Sequence, residues 1–270
     1  MTDIAMPLAQ PSPIAPGALR RLTGFDLVVI AATIIASFAF AFFGAAVAGG
    51  IYGIVLAVTQ GKVDQAAVAA NKDLLQTVIF VGAVYATAVL PLGVWGLAQL
   101  RGFGRSALGL RRARWWWYAI GLAVLAVLFG YDFLITHFLD PDHAIAGKLR
   151  EQLLVRPDSL AWIIALWVVV APATAVAEEL LYRGMLYRWF RERLPVWLAI
   201  LVSSVVFGLL HGSLISPGGW LGAGMAFGLT MFGVIAAFLF EASGSLWPSI
   251  LVHFVNNSLF VIGAYNPSGG

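Results

Sequence analysis

The sequence predicts an all-α fold, a polytopic transmembrane bundle of seven or eight helices. Three observations lead there. Of 270 residues, 61% are hydrophobic and only 11% charged, with a mean hydropathy of +0.90. A single soluble core of this size cannot hide so much apolar surface. The apolar residues also gather into runs of about 20, the length a helix needs to cross ~30 Å of hydrocarbon. Finally, arginines cluster in alternate connections, the pattern that orients membrane helices.

Taken in order, residues 1–24 carry four prolines and read as a disordered cytoplasmic tail. The N-terminal helices occupy 25–159, with spans at 26–47, 75–99 and 114–137. The first apolar run continues to Thr59 past Gly49 and Gly50, a break that leaves room for a short eighth or re-entrant helix. Its length and the tail before it fit an uncleaved anchor better than a signal peptide. A second group of helices occupies 160–264, with spans at 160–187, 196–212, 220–241 and 246–264, and 265–270 form a short tail. Arg20 and Arg21, then Arg101, Arg105, Arg111, Arg112 and Arg114, then Arg188, Arg191 and Arg193 all fall on one side if seven spans alternate. That side is the cytoplasm, so the N-terminus is expected inside. The short loops with an arginine-rich inner face suggest a multi-pass protein of a bacterial inner membrane. The opposite connections mix Lys62, Lys72, Lys148, Arg150 and Arg156 with acids. WWWY at 115–118 suits an inner aromatic belt. The net charge of +3 implies no nucleic-acid partner, and the absence of cysteine excludes disulfides and thiol chemistry.

Ionisable residues inside a span are expensive and mark function by default. Asp132 and Glu241 fall at span ends, and His137 and His143 in the outer loop region, where interfacial or structural roles suffice. What remains is Glu178, Glu179 and Arg183 in the fourth span, His211 in the fifth, and His253 with Asn257 in the seventh, Asn256 beside it. At ~1.5 Å per residue, Glu178 lies about 15 Å from the inner helix end, His253 about 10 Å, Asn257 about 16 Å and His211 about 22 Å. They converge near mid-bilayer. Glu179 and Arg183 are i,i+4, the order that favours an ion pair, whereas Glu178 is rotated about 100° away. Glu179 is therefore expected to brace Arg183, leaving Glu178 free for chemistry. His253 and Asn257 also share a face. Pro172 should kink the fourth span, and Gly218/Gly222 and Gly224/Gly228 have the GxxxG spacing of close helix contacts.

These groups suit hydrolysis inside a membrane. Glu178 can take a proton from water, and Asn257 can donate to a developing oxyanion. Two imidazoles, His211 and His253, could ligate Zn2+ with Glu178 as third ligand or as general base. Without metal, His211 would assist Glu178 and His253 would join Asn257 as a donor. The sequence contains no HExxH, GxSxG or GxGD, so the common zinc, serine and aspartyl signatures are missing.

EELLYR at 178–183, FGLLH at 207–211 and HFVNN at 253–257 stand in order on successive late helices. They match EExxxR, FxxxH and HxxxN. The chain thereby resembles the CAAX-protease and bacteriocin-processing family of intramembrane endopeptidases, related to type II CAAX prenyl endopeptidases, over about residues 160 to 260. The resemblance implies a catalytic cavity lined by Glu178, His211, His253 and Asn257, with Glu179 and Arg183 as motif partners. It implies glutamate-activated water attacking a peptide bond, and a peptide or protein substrate met at the lipid bilayer. Two other classes compete. Glu and His in a bundle also build the proton relay of a transporter, but no internal repeat supports one. A non-catalytic immunity or scaffold protein has no need for all four site residues.

Overall fold

A computed structural model describes residues 21–61, 72–139, 159–215 and 219–264. Most of the expected tail, residues 265–270, His143, Gly218 and nearly all charges of the opposite connections lie outside the described residues, as do the side-chain settings of Asp132, His137 and Gly222. The described residues form seven helices and no strand. They are α1 (Gly24–Gln60), α2 (Lys72–Arg101), α3 (Trp115–Leu139), α4 (Leu160–Arg191), α5 (Val196–Ile215), α6 (Gly219–Ser243) and α7 (Leu246–Ala264).

Gly49 and Gly50 do not break α1, which runs unbroken for 37 residues until Gly61 caps it with φ 71° and an N–H bond to the Ala57 carbonyl. In hydrocarbon a broken helix would leave backbone groups without partners, so the glycines cost less inside the helix than at a break. No eighth helix arises there. Gly24–Thr59, Phe80–Arg101, Leu160–Arg191 and Ala226–Ser243 are long and apolar enough to cross a membrane, by length and composition. Trp115–Gly130, Val196–His211 and Leu246–Ile262 are shorter apolar stretches.

The side-chain distribution is that of a lipid-solvated bundle. Leu92, Trp95, Val127 and Phe227 lie on the outside, each more than 60% exposed, while Glu179, Arg183, Ser204 and Ser249 are buried. Leu181, Met185, Phe207, Leu239 and Val252 pack around this polar interior. At the predicted inner side, Asp26 is fully buried and accepts from Thr23 N at 2.5 Å and Arg101 Nε at 2.6 Å, tying the start of α1 to the end of α2. Glu241 accepts from Tyr187 Oη at 2.8 Å and Arg191 Nε at 3.1 Å, a structural contact between α4 and α6. Arg114 lies 3.9 Å over the Trp116 ring, where the aromatic belt was expected.

The glycine spacing in α6 does not mark the close contact it suggested. A Cβ on Gly224 or Gly228 would meet nothing within 4 Å. The tight seam is between Gly208 of α5 and the Ala226–Thr230 turn of α6, where an added Cβ would come within 2.8 Å of Thr230 N. Gly208→Val is therefore expected to force α5 and α6 apart and to cost about 1–3 kcal/mol, as overpacking does. Gly224→Ala should be neutral or slightly stabilising, because alanine is the better helix former. Thermal midpoints in detergent would measure both, and equal midpoints for the two variants would contradict this seam.

Candidate active site

Helix α4 sets the geometry. Pro172 lacks an N–H, so the α-helical ladder cannot pass through it unchanged. The chain responds with a π-helical turn at Val169–Ala173, in which the Thr174 N–H reaches the carbonyls of Val169 and Ala171. An ordinary α-helical stretch, Thr174–Leu181, carries both glutamates, and a second π-helical turn follows at Tyr182–Tyr187. Such turns concentrate at functional sites because each shifts the helical register by one residue. The expected kink is thus a change of register on both sides of the acidic pair.

Glu178 projects toward both histidines. Its Oε1 is 3.2 Å from His211 Nε2, and its Oε2 is 3.7 Å from His253 Nε2. The other ring nitrogens are occupied: His211 Nδ1 lies 2.8 Å from the Phe207 carbonyl and His253 Nδ1 lies 2.9 Å from Glu179 Oε1. A carbonyl only accepts, so His211 Nδ1 must carry a proton. A hydrogen bond between Nε2 and Glu178 Oε1 then requires a proton on one of the two. The 3.7 Å gap to His253 exceeds a direct hydrogen bond, and is one that a shared water could close. Glu178 and His211 keep 13% and 17% of their side-chain surface accessible.

Glu179 is fully buried. Its Oε1 accepts from Arg183 Nη1 at 2.9 Å, the pair its spacing predicts. It also accepts from His253, 74 residues away on α7, a bond that no local pattern announces. Arg183 donates further to the Gly233 carbonyl at 3.3 Å and stacks over Phe207, 4.6 Å from the ring centroid. Phe207 in turn lies 4.3 Å from the His211 ring, and Tyr182 meets Phe207 edge-on at 5.0 Å. These aromatic rings wall the acidic pair from lipid. Only the EExxxR and FxxxH spacings hinted at them.

Asn257 stands one turn along α7 from His253 but does not bond to Glu178. Its Nδ2 donates to the Val170 carbonyl at 2.9 Å, and its Oδ1 accepts from Asn256 Nδ2 at 3.3 Å. The structure thus joins Glu178, Glu179, Arg183, His211 and His253 in one polar cluster, with Asn257 at its edge. Zinc would need His211, His253 and Glu178 around a common point. Among the described residues no group of three His, Cys, Asp or Glu is arranged to hold a metal ion. The nitrogens instead meet the carboxylates directly.

The comparisons with known proteins point to membrane peptidases. Residues 160–259 match the family described as Type II CAAX prenyl endopeptidase Rce1-like. The matched segment is the one that carries the EExxxR, FxxxH and HxxxN patterns. The chain is also 24% identical, over 159 residues, to the "Putative membrane peptidase YdiL" of Bacillus subtilis (strain 168). That alignment covers 55% of this chain and 59% of the relative. No solved structure matches.

Proposed function

We propose that the protein is an intramembrane endopeptidase that hydrolyses a peptide bond with water activated by Glu178 and His211. The observation that carries this reading is the convergence of both histidine Nε2 atoms on the two oxygens of Glu178, inside the matched segment and within an apolar bundle. Glu178 is not the counter-charge of Arg183, which Glu179 engages.

The route follows from the contacts. Glu178 withdraws a proton from a bound water as the water oxygen attacks the carbonyl carbon of the substrate. The carbonyl oxygen becomes an oxyanion, which accepts an N–H from Asn257. His253, with Nδ1 committed to Glu179, offers only Nε2, and donates to the oxyanion when its ring is protonated. The tetrahedral centre collapses, the C–N bond breaks, and the proton held between Glu178 and His211 passes to the leaving nitrogen. Products are a carboxylic acid and an amine. The substrate is a peptide or protein reached at the membrane, the N-terminus is cytoplasmic and the membrane is the bacterial inner one.

Trapping substrates in native membranes with Glu178→Gln tests the reading: peptides enriched on the variant should be cleaved by the unaltered protein in proteoliposomes. Chelation separates the zinc route from this one. The metal-free route expects full cleavage of those peptides after exhaustive chelation. Loss of cleavage that stoichiometric zinc restores would assign Glu178, His211 and His253 as ligands instead.

A further inference from the structure

The π-helical turn in α4 has a chemical partner in α7. Pro172 provides no N–H, and the Thr174 N–H bypasses the Val170 carbonyl in favour of Val169 and Ala171. Side chains also bond to carbonyls of the turn. Thr174 Oγ1 donates to Val169 O at 2.9 Å and lies 3.0 Å from Thr87 Oγ1 on α2, while Asn257 Nδ2 donates to Val170 O at 2.9 Å. A backbone carbonyl left unpaired is costly, which favours the bond from Asn257 to Val170 O.

Asn256 completes the arrangement. It is part-buried, belongs to none of the three sequence motifs, and its Nδ2 donates to Asn257 Oδ1 at 3.3 Å. A carboxamide has two N–H donors on one end and an acceptor on the other. With Val170 O bound to one N–H and Asn256 bound to the oxygen, the carboxamide of Asn257 can neither flip nor swing. Among the described residues its second N–H has no partner. We propose that Asn256, together with the Val170 carbonyl released by the π-helical turn, is a positioning device that aims the free N–H of Asn257 at the reacting carbonyl oxygen. This inference rests on the hydrolase reading, and it adds a residue outside the motifs and a task for the Pro172 turn. Asn256 bonds to Asn257 rather than to Glu178, and it acts through Asn257.

The test uses full-length protein in nanodiscs, labelled with 15N at asparagine. The chain has only four asparagines, so four side-chain amide pairs result, and the Asn257 pair is assigned by its loss in Asn257→Ala. Asn256→Leu keeps the side-chain shape and removes the donor. It is expected to shift the Asn257 pair and to lower kcat at least tenfold with KM unchanged. The upper bound is the ~10²–10³-fold cost of losing an oxyanion donor outright. The cleavage probe is a quenched peptide identified by the Glu178→Gln trap. In an Asn257→Ala background, Asn256→Leu should add no further loss, because the group it positions is gone. An unmoved Asn257 pair overturns the inference, as does a full additional loss in that background. Asn256→Ala, read by the same resonances, replaces Asn256→Leu if the latter misfolds. Wild-type cleavage by Glu178→Gln would overturn the hydrolase reading instead, and the resonances alone would then decide whether Asn256 orients Asn257.

Discussion

Glu178→Gln is expected to lower peptide-bond hydrolysis by about 10²–10⁴-fold, the range that a positioned general base supplies. Glutamine has the shape of glutamate and keeps one oxygen for His211, so the bundle should survive the change. What disappears is the ability to hold a proton taken from water. His211→Ala should act through the same step, since its Nε2 shares the proton with Glu178 Oε1 across 3.2 Å. Two groups that act as a unit give non-additive losses. The double variant should therefore be little slower than Glu178→Gln alone. Cleavage of trapped peptides in proteoliposomes measures all three. A double variant slower by the product of the single losses would show that the two residues act in separate steps, and unimpaired cleavage by either single variant would sink the mechanism.

The largest effect on stability should come from the neighbouring residue. Glu179→Ala removes the counter-charge of Arg183, which is 2% exposed, and the anchor of His253 Nδ1. Breaking a buried pair by removing one partner costs about 3–5 kcal/mol, because a charge is left in a low-dielectric interior. That is a large part of the 5–15 kcal/mol by which proteins are ordinarily stable. Replacing both partners, as in Glu179→Gln with Arg183→Met, leaves no uncompensated charge, and the glutamine oxygen can still accept from His253. The double variant should unfold at a higher temperature than Glu179→Ala. Unfolding curves in detergent would settle the order, and a Glu179→Ala protein as stable as the parent would refute a bracing role.

How much of this was legible depended on whether the information is local. The ion pair of Glu179 with Arg183 follows from i,i+4 spacing on one helix, and the structure has it at 2.9 Å. The separation of Glu178 from Glu179 follows from the 100° turn between adjacent residues. The bond from Glu179 to His253 joins α4 to α7, and nothing in either segment encodes the approach of helices 74 residues apart. The same holds for Asn257, whose partner is a backbone carbonyl freed by a turn that Pro172 foreshadows only as a kink. Gly224 and Gly228 show the converse. Their spacing is a real signal of close packing, but it says nothing about which face meets a neighbour, and theirs meets none within 4 Å.

The two π-helical turns that bracket Thr174–Leu181 have a consequence for how the gene can vary. A π-helical turn amounts to one residue more than an α-helix would use over the same length, so it resembles an accommodated insertion. Removing one residue from Val169–Ala173 while Pro172 stays would take away the slack with which the chain passes the missing N–H. The Val170 carbonyl that holds Asn257 would be displaced, though every side chain of the cluster was still present. In this stretch the count of residues matters as much as their identity. Codon deletions here should be purged even where apolar substitutions drift freely.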